Sequence, residues 1–122
     1  MKNKELVQVL LNCSKHCNHC ADASLNSGYI EMMVDCIRIN QVCAEICNTT
    51  AKILSLSYDN VDDLVDYCQS ICESCASECK KHKNSSCINL IINTLKLRTT
   101  IYIILIIKLL RFHSGLFVKI DV

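Results

Sequence analysis

Cys68-Gln69-Ser70-Ile71-Cys72-Glu73-Ser74-Cys75-Ala76-Ser77-Glu78-Cys79 places four cysteines at steps of 4, 3 and 4. Such steps keep side chains on one face of a 3.6-residue helix, whereas a strand would throw them to alternate faces. The same spacing recurs upstream: Cys13, Cys17 and Cys20 step by 4 and 3, and Cys36, Cys43 and Cys47 by 7 and 4. Each series continues into ordinary core residues. The first stripe reads Leu6, Val9, Leu10, Cys13, Cys17, Cys20, Ser24 and the second Tyr29, Met33, Cys36, Asn40, Cys43, Cys47, Thr50, Leu54. The third reads Val61, Leu64, Val65, Cys68, Cys72, Cys75, Cys79, His82. Lys15, Asp22, Arg38, Glu45, Glu73, Glu78 and Lys81 fall off these stripes, so the thiols are expected to face an interior where helices converge.

Composition agrees with helices. The 122 residues suffice for one core, and the chain has no Pro, two Gly and six aromatics, too few turn formers and strand formers for a sandwich or barrel. Turn signals stand at Asn26-Ser27-Gly28, Ser55-Leu56-Ser57-Tyr58-Asp59-Asn60 and Lys83-Asn84-Ser85-Ser86. They predict helices over about 4–25, 29–54, 60–82 and 86–110, with Ser57 or Asp59 capping the third and Ser85 the fourth. Short connections between helices of similar length predict an all-α, antiparallel up-down four-helix bundle with a Cys-lined core.

Several function classes are excluded on the same grounds. A net charge of +1 gives no nucleic-acid footprint. No Gly-rich phosphate loop occurs, and Asp62, Asp63 and Asp66 form an acidic patch that a helix start favours without chemistry. The chain therefore reads as a non-enzyme. Leu6–Leu11 is a short apolar run containing Gln8 and followed by no small-residue cleavage site, so a cytoplasmic protein with reduced thiols is expected.

Ten cysteines in register ask for a chemical reason, since packing alone would use Leu, Ile and Ala. Thiolates select Cu(I), Zn(II) and Fe–S centres. Zinc knuckles usually sit on turns, whereas Cys17/Cys20 and Cys72/Cys75 lie mid-helix, and the bacterial Fe–S run is absent. Cu(I) accepts as few as two thiolates, so a column of them suits it, and each buried thiolate needs a cation. Two other readings stand beside this one: a thiolate site for Zn(II), and a disulfide-stabilised helical interaction module using Cys43/Cys47 and Cys68/Cys72. Two thiols on one helix point in similar directions and join only with backbone distortion.

Cys13-x3-Cys17-x2-Cys20, Cys43-Ala44-Glu45-Ile46-Cys47 and the opening run resemble the cysteine-rich four-helix-bundle copper-storage proteins, over about residues 8–87. The resemblance implies a bundle whose core binds many Cu(I) ions for storage or detoxification, often as a homotetramer, and matches the cytosolic branch. Carried over, the ligands are Cys13, Cys17, Cys20, Cys36, Cys43, Cys47, Cys68, Cys72, Cys75, Cys79 and Cys87. An antiparallel bundle would also gather Cys20, Met33, His82 and Cys87 at one end, where a thioether, an imidazole and thiols could pass Cu(I) inward. His16 and His19 are expected at the surface.

The last third breaks the pattern. Residues 1–84 carry 8 basic and 11 acidic groups, and residues 85–122 carry 5 and 1. After Cys87 no thiol follows, and Thr99–Leu110 is rich in Ile and Leu but too short between charges to span a bilayer, which takes about 20 residues. The chain divides into a Cys-rich helical bundle, 1–87, and an atypical fourth helix and tail, 88–122, read as a divergent or frameshifted end.

Overall fold

The computed structural model describes residues 3–82, 92–104 and 106. They form α1, Lys4–Leu25; α2, Ile30–Ser55; α3, Asp62–Cys79; and a fourth helical stretch, α4, over residues 92–104. No strand occurs among the described residues. Asp62 and Asp63 in the first turn of α3 complement its dipole. Ser85 and Cys87 lie outside the described residues.

The connection 26–29 is tight because three devices act together. The Asn26 amide groups, main chain and side chain, donate to the Asp22 carbonyl at 3.1 and 3.0 Å, satisfying an orphan acceptor of α1. Gly28 turns the chain at φ 81°, a left-handed conformation open to a residue without Cβ. The Ser27 hydroxyl then accepts from the Tyr29 N–H at 3.0 Å.

Two sequence expectations are corrected nearby. Ser57 does not cap α3: it adopts φ 56° and its N–H donates to the Leu54 carbonyl at 3.1 Å. It is thus the left-handed residue that closes α2; Val61, not Ser57 or Asp59, is the N-cap of α3, and it makes no side-chain cap. Tyr29, placed at the head of the second stripe, is 68% exposed. It precedes α2 with non-helical backbone angles, so the helical phase of the stripe does not reach it.

α1 packs along α2 and α2 along α3, while α1 and α3 meet across the core through sulfur: Cys13 to Cys72 at 3.8 Å and Cys20 to Cys79 at 3.6 Å. Ala21, Ala44, Ala51 and Ala76, all buried, keep the flanks narrow enough for this approach. α4 fills the remaining side. Leu97 and Ile101 join the core, the Asn93 amide donates to the Val9 carbonyl of α1 at 3.1 Å, and Arg98 pairs with Glu73 of α3 at 3.1 Å.

The direction of each helix follows from what shares a layer. Cys20 near the end of α1, Cys36 near the start of α2 and Cys79 at the end of α3 converge at one end. Leu6, Leu54, Val61 and Ile101 line a cavity of about 210 Å³ at the other. This is an antiparallel up-down four-helix bundle. Its core is apolar at one end and sulfur-lined from Cys13 onward.

Candidate metal centre

Ten cysteines of the described residues are buried at 0–1% exposure. α1 supplies Cys13, Cys17 and Cys20, α2 supplies Cys36, Cys43 and Cys47, and α3 supplies Cys68, Cys72, Cys75 and Cys79. One rotation of each helix per 3.6 residues stacks them, and antiparallel packing brings the three stacks together.

The sulfurs form three compact groups, each with its Sγ atoms within 4.8 Å of one another: Cys13/Cys43/Cys47/Cys72, Cys17/Cys43/Cys75 and Cys20/Cys36/Cys79. Cys43 belongs to two of them. In the first group Cys47 lies 3.5 Å and Cys43 3.6 Å from Cys72, with Cys43 and Cys47 3.9 Å apart. Cys68 adjoins it, 3.8 Å from Cys47. These separations are what thiolates sharing one ion at a metal–sulfur distance of about 2.3 Å would show. They also exceed any S–S bond. Cys43, Cys47, Cys68 and Cys72 are free thiols, so the intrahelical disulfide pairs that a stapled module would use are not formed.

Protons are shared unequally across the groups. Hydrogen bonding with Cys17 leads in holding Cys13 down to about 5, and hydrogen bonding with Cys47 leads in holding Cys68 down to about 4. Cys43 is lowered too, first by Cys13. Cys17, Cys47 and Cys72 are pushed up, each first through its hydrogen bond with Cys13, and burial pushes up Cys36. A dry thiolate persists only where neighbouring S–H groups donate to it, so adjacent thiols cannot all ionise until a cation joins them.

One polar side chain enters the sulfur column. Asn40 is fully buried, donates through Nδ2 to the Cys36 carbonyl at 2.8 Å, and accepts at Oδ1 from the Cys75 S–H at 3.2 Å. In the sequence Asn40 stands on the inward stripe, and its signal is an amide at a thiol position. Ser24, also fully buried, donates to the Cys20 carbonyl at 2.8 Å and lies 3.7 Å from the Cys36 sulfur.

The remaining predicted site residues sit at the same end. Met33 is buried within the core cluster. His82 is half-buried with Nε2 3.3 Å from Glu78, and it joins none of the three sulfur groups. Hydrogen bonding from Lys81, then His82, holds the Glu78 carboxyl below its usual value. His16 is half-buried and His19 exposed.

Comparison with known proteins bears on the same residues. Residues 1–90 match the family model described as Csp, copper storage protein. The uncharacterised cysteine-rich protein YhjQ of Bacillus subtilis (strain 168) is 31% identical over 81 residues, covering 66% of this chain and 75% of the relative. The solved structure of Cu(I)-bound copper storage protein BsCsp3 aligns with a TM-score of 0.76 at 25% identity, over 82% of this chain and 94% of that one.

Proposed function

The chain belongs to the copper storage protein family, and from that premise we propose that its core thiols sequester several Cu(I) ions per molecule. The observation that carries the reading is the set of three sulfur-only groups, stacked and fully buried. Oxygen and nitrogen donors that would suit harder metals are absent from these groups, and soft Cu(I) is the monovalent ion that thiolates select. Zn(II) seeks four ligands in a closed structural site. Among the described residues Cys13/Cys43/Cys47/Cys72 offers four sulfurs and Cys17/Cys43/Cys75 three, and two- or three-coordinate Cu(I) can use both. The backbone holds the sulfurs near their bound spacing, so loading requires proton loss more than rearrangement.

Anaerobic titration of the reduced chain with Cu(I), with Zn(II) as competitor, tests this directly. Several Cu(I) ions per chain and displacement of Zn(II) are expected; one ion per chain, or preference for Zn(II), would sink the reading.

The way in lies at the end holding Met33 and His82, because the cavity at the opposite end is lined by Leu6, Leu54, Val61 and Ile101 with Asn3, Asp62 and Asp66, and by no sulfur. Replacing Met33 and His82 by Leu is expected to slow Cu(I) uptake and leave capacity unchanged, and uptake at the native rate would remove that role. No helix among the described residues is long and apolar enough to cross a membrane. The role proposed is non-enzymatic sequestration in the cytoplasm. Exposed Ile92, Leu95, Tyr102 and Ile103 on the outer side of α4 support a homo-oligomer, to be read as a multiple of the chain mass by light scattering. The family match ends at residue 90, in keeping with a divergent or frameshifted segment 88–122. The coding DNA tests it: an alternative frame after Cys87 should encode further Cys-x2-Cys or Cys-x3-Cys spacing.

A further inference from the structure

We propose that the segment 107–122 folds back onto the bundle and seats Phe117 in the cavity remote from Met33 and His82, with Lys119 beside Asp62 and Asp66 at its mouth.

The cavity supplies the first observation. It measures about 210 Å³, and six aliphatic side chains, Leu6, Leu54, Val61, Val65, Ile101 and Ile104, form most of its wall. Leu6, Leu54, Val61 and Ile101 are buried, so the wall is hydrocarbon drawn from every side of the bundle. Native interiors leave few voids larger than a water molecule. An apolar void of about 150 Å³ takes up a benzene ring, so this one has room for a Phe side chain. The exposed carboxylates of Asp62 and Asp66 stand at the mouth.

The second observation is what the chain carries next to that cavity. Ile104 lines it and Ile106 is the last described residue, so residues 107–122 set out from its edge. Both phenylalanines of the chain, Phe112 and Phe117, stand in that segment. Phe112 lies between Arg111 and His113, whereas Phe117 lies between Leu116 and Val118. Gly115, just before them, lets the chain reverse. In an extended stretch residues two apart share a side, so Phe117 can enter the cavity while Lys119 meets the carboxylates. The segment carries Lys108, Arg111 and Lys119 against Asp121, the opposite sign to the mouth.

Magnitudes favour this occupant over a second copy of the chain. Burial of one Phe side chain favours the docked state about ten- to hundredfold. The exposed ion pair adds about two- to fivefold, so it orients more than it holds. A segment joined to the wall by so short a connection acts at an effective concentration on the order of millimolar, which a separate chain at micromolar concentration does not match.

The chain has no Trp, so Phe117→Trp in the full, reduced, metal-free chain places one fluorophore at the position in question. Its emission should be blue-shifted, and acrylamide should quench it about tenfold less than in the same chain unfolded by denaturant, the factor set by the docked fraction. Dilution should leave that shielding unchanged. Asp66→Lys reverses a charge at the mouth and should raise quenching about two- to fivefold. Val65→Phe fills the cavity from its own wall and should release the indole to solvent while helical circular dichroism stays; Ile104→Phe does the same from α4 if that variant fails to fold. An indole quenched as freely as in the unfolded chain overturns the proposal. So does shielding that survives a filled cavity, or shielding lost on dilution, which assigns the cavity to a second copy. No copper enters the measurement, so its outcome is separate from that of the Cu(I) titration.

Discussion

The cysteines of the column are not equivalent in how many sulfurs they can share an ion with. Cys43 belongs to two groups and Cys68 to none, although Cys68 lies 3.8 Å from Cys47. Cys43→Ser should therefore lower bound Cu(I) per chain more than Cys68→Ser, measured by metal analysis after desalting; equal losses would show that the groups do not act as units. Proton competition follows from the same neighbours. Cys17, Cys47 and Cys72 are pushed up and keep their protons in the metal-free chain, so an ion binding them must displace protons. Lowering pH raises the proton activity against which Cu(I) competes, so affinity should fall as pH falls. Competition with a pH-insensitive chelator measures this, and an affinity independent of pH would contradict it.

At the scale of the element, α1, α2 and α3 are asymmetric cylinders with a sulfur stripe inward and charge outward, and α4 differs in kind. Its inward residues among those described are Asn93, Thr94, Leu97 and Ile101, so it contributes apolar packing and hydrogen bonding where the other three contribute thiols. Leu97 is 0% exposed and belongs to the core cluster, so Leu97→Ala leaves a cavity there. The metal-free chain should lose about 2–5 kcal/mol in chemical denaturation. An unchanged midpoint would mean that α4 does not hold the bundle closed. The helix bounds themselves were largely legible in the sequence: α1 matches the range read from periodicity, and α2 begins and ends one residue later than read. The start of α3 was not legible, because Ser57 has the composition of a cap and the backbone angles of a terminator, and only the φ of 56° separates the two.

For the whole molecule, a core of buried thiols is a modest source of stability, since each Cys packs as a small hydrophobe with a weak S–H donor. Cu(I) binding to the folded column alone would add stability by mass action. Thermal melts followed by far-UV circular dichroism should therefore shift upward on Cu(I) loading and return on chelation; a melt insensitive to Cu(I) would place the ions outside the fold. The sequence by itself determined the helices, the face each one buries and the softness of whatever the cysteines hold. All three depend on residue type and on a 3.6-residue period, which are local properties. Only the tertiary structure decided which sulfurs meet. Cys13 reaches Cys72 across 59 residues of chain, Cys43 is shared between two groups, and Asn40 of α2 accepts from the Cys75 thiol of α3. Those relations depend on the rotation and vertical offset of one helix against another. Packing of Leu97, Ile101 and the buried alanines sets these, and no spacing within a single helix encodes them.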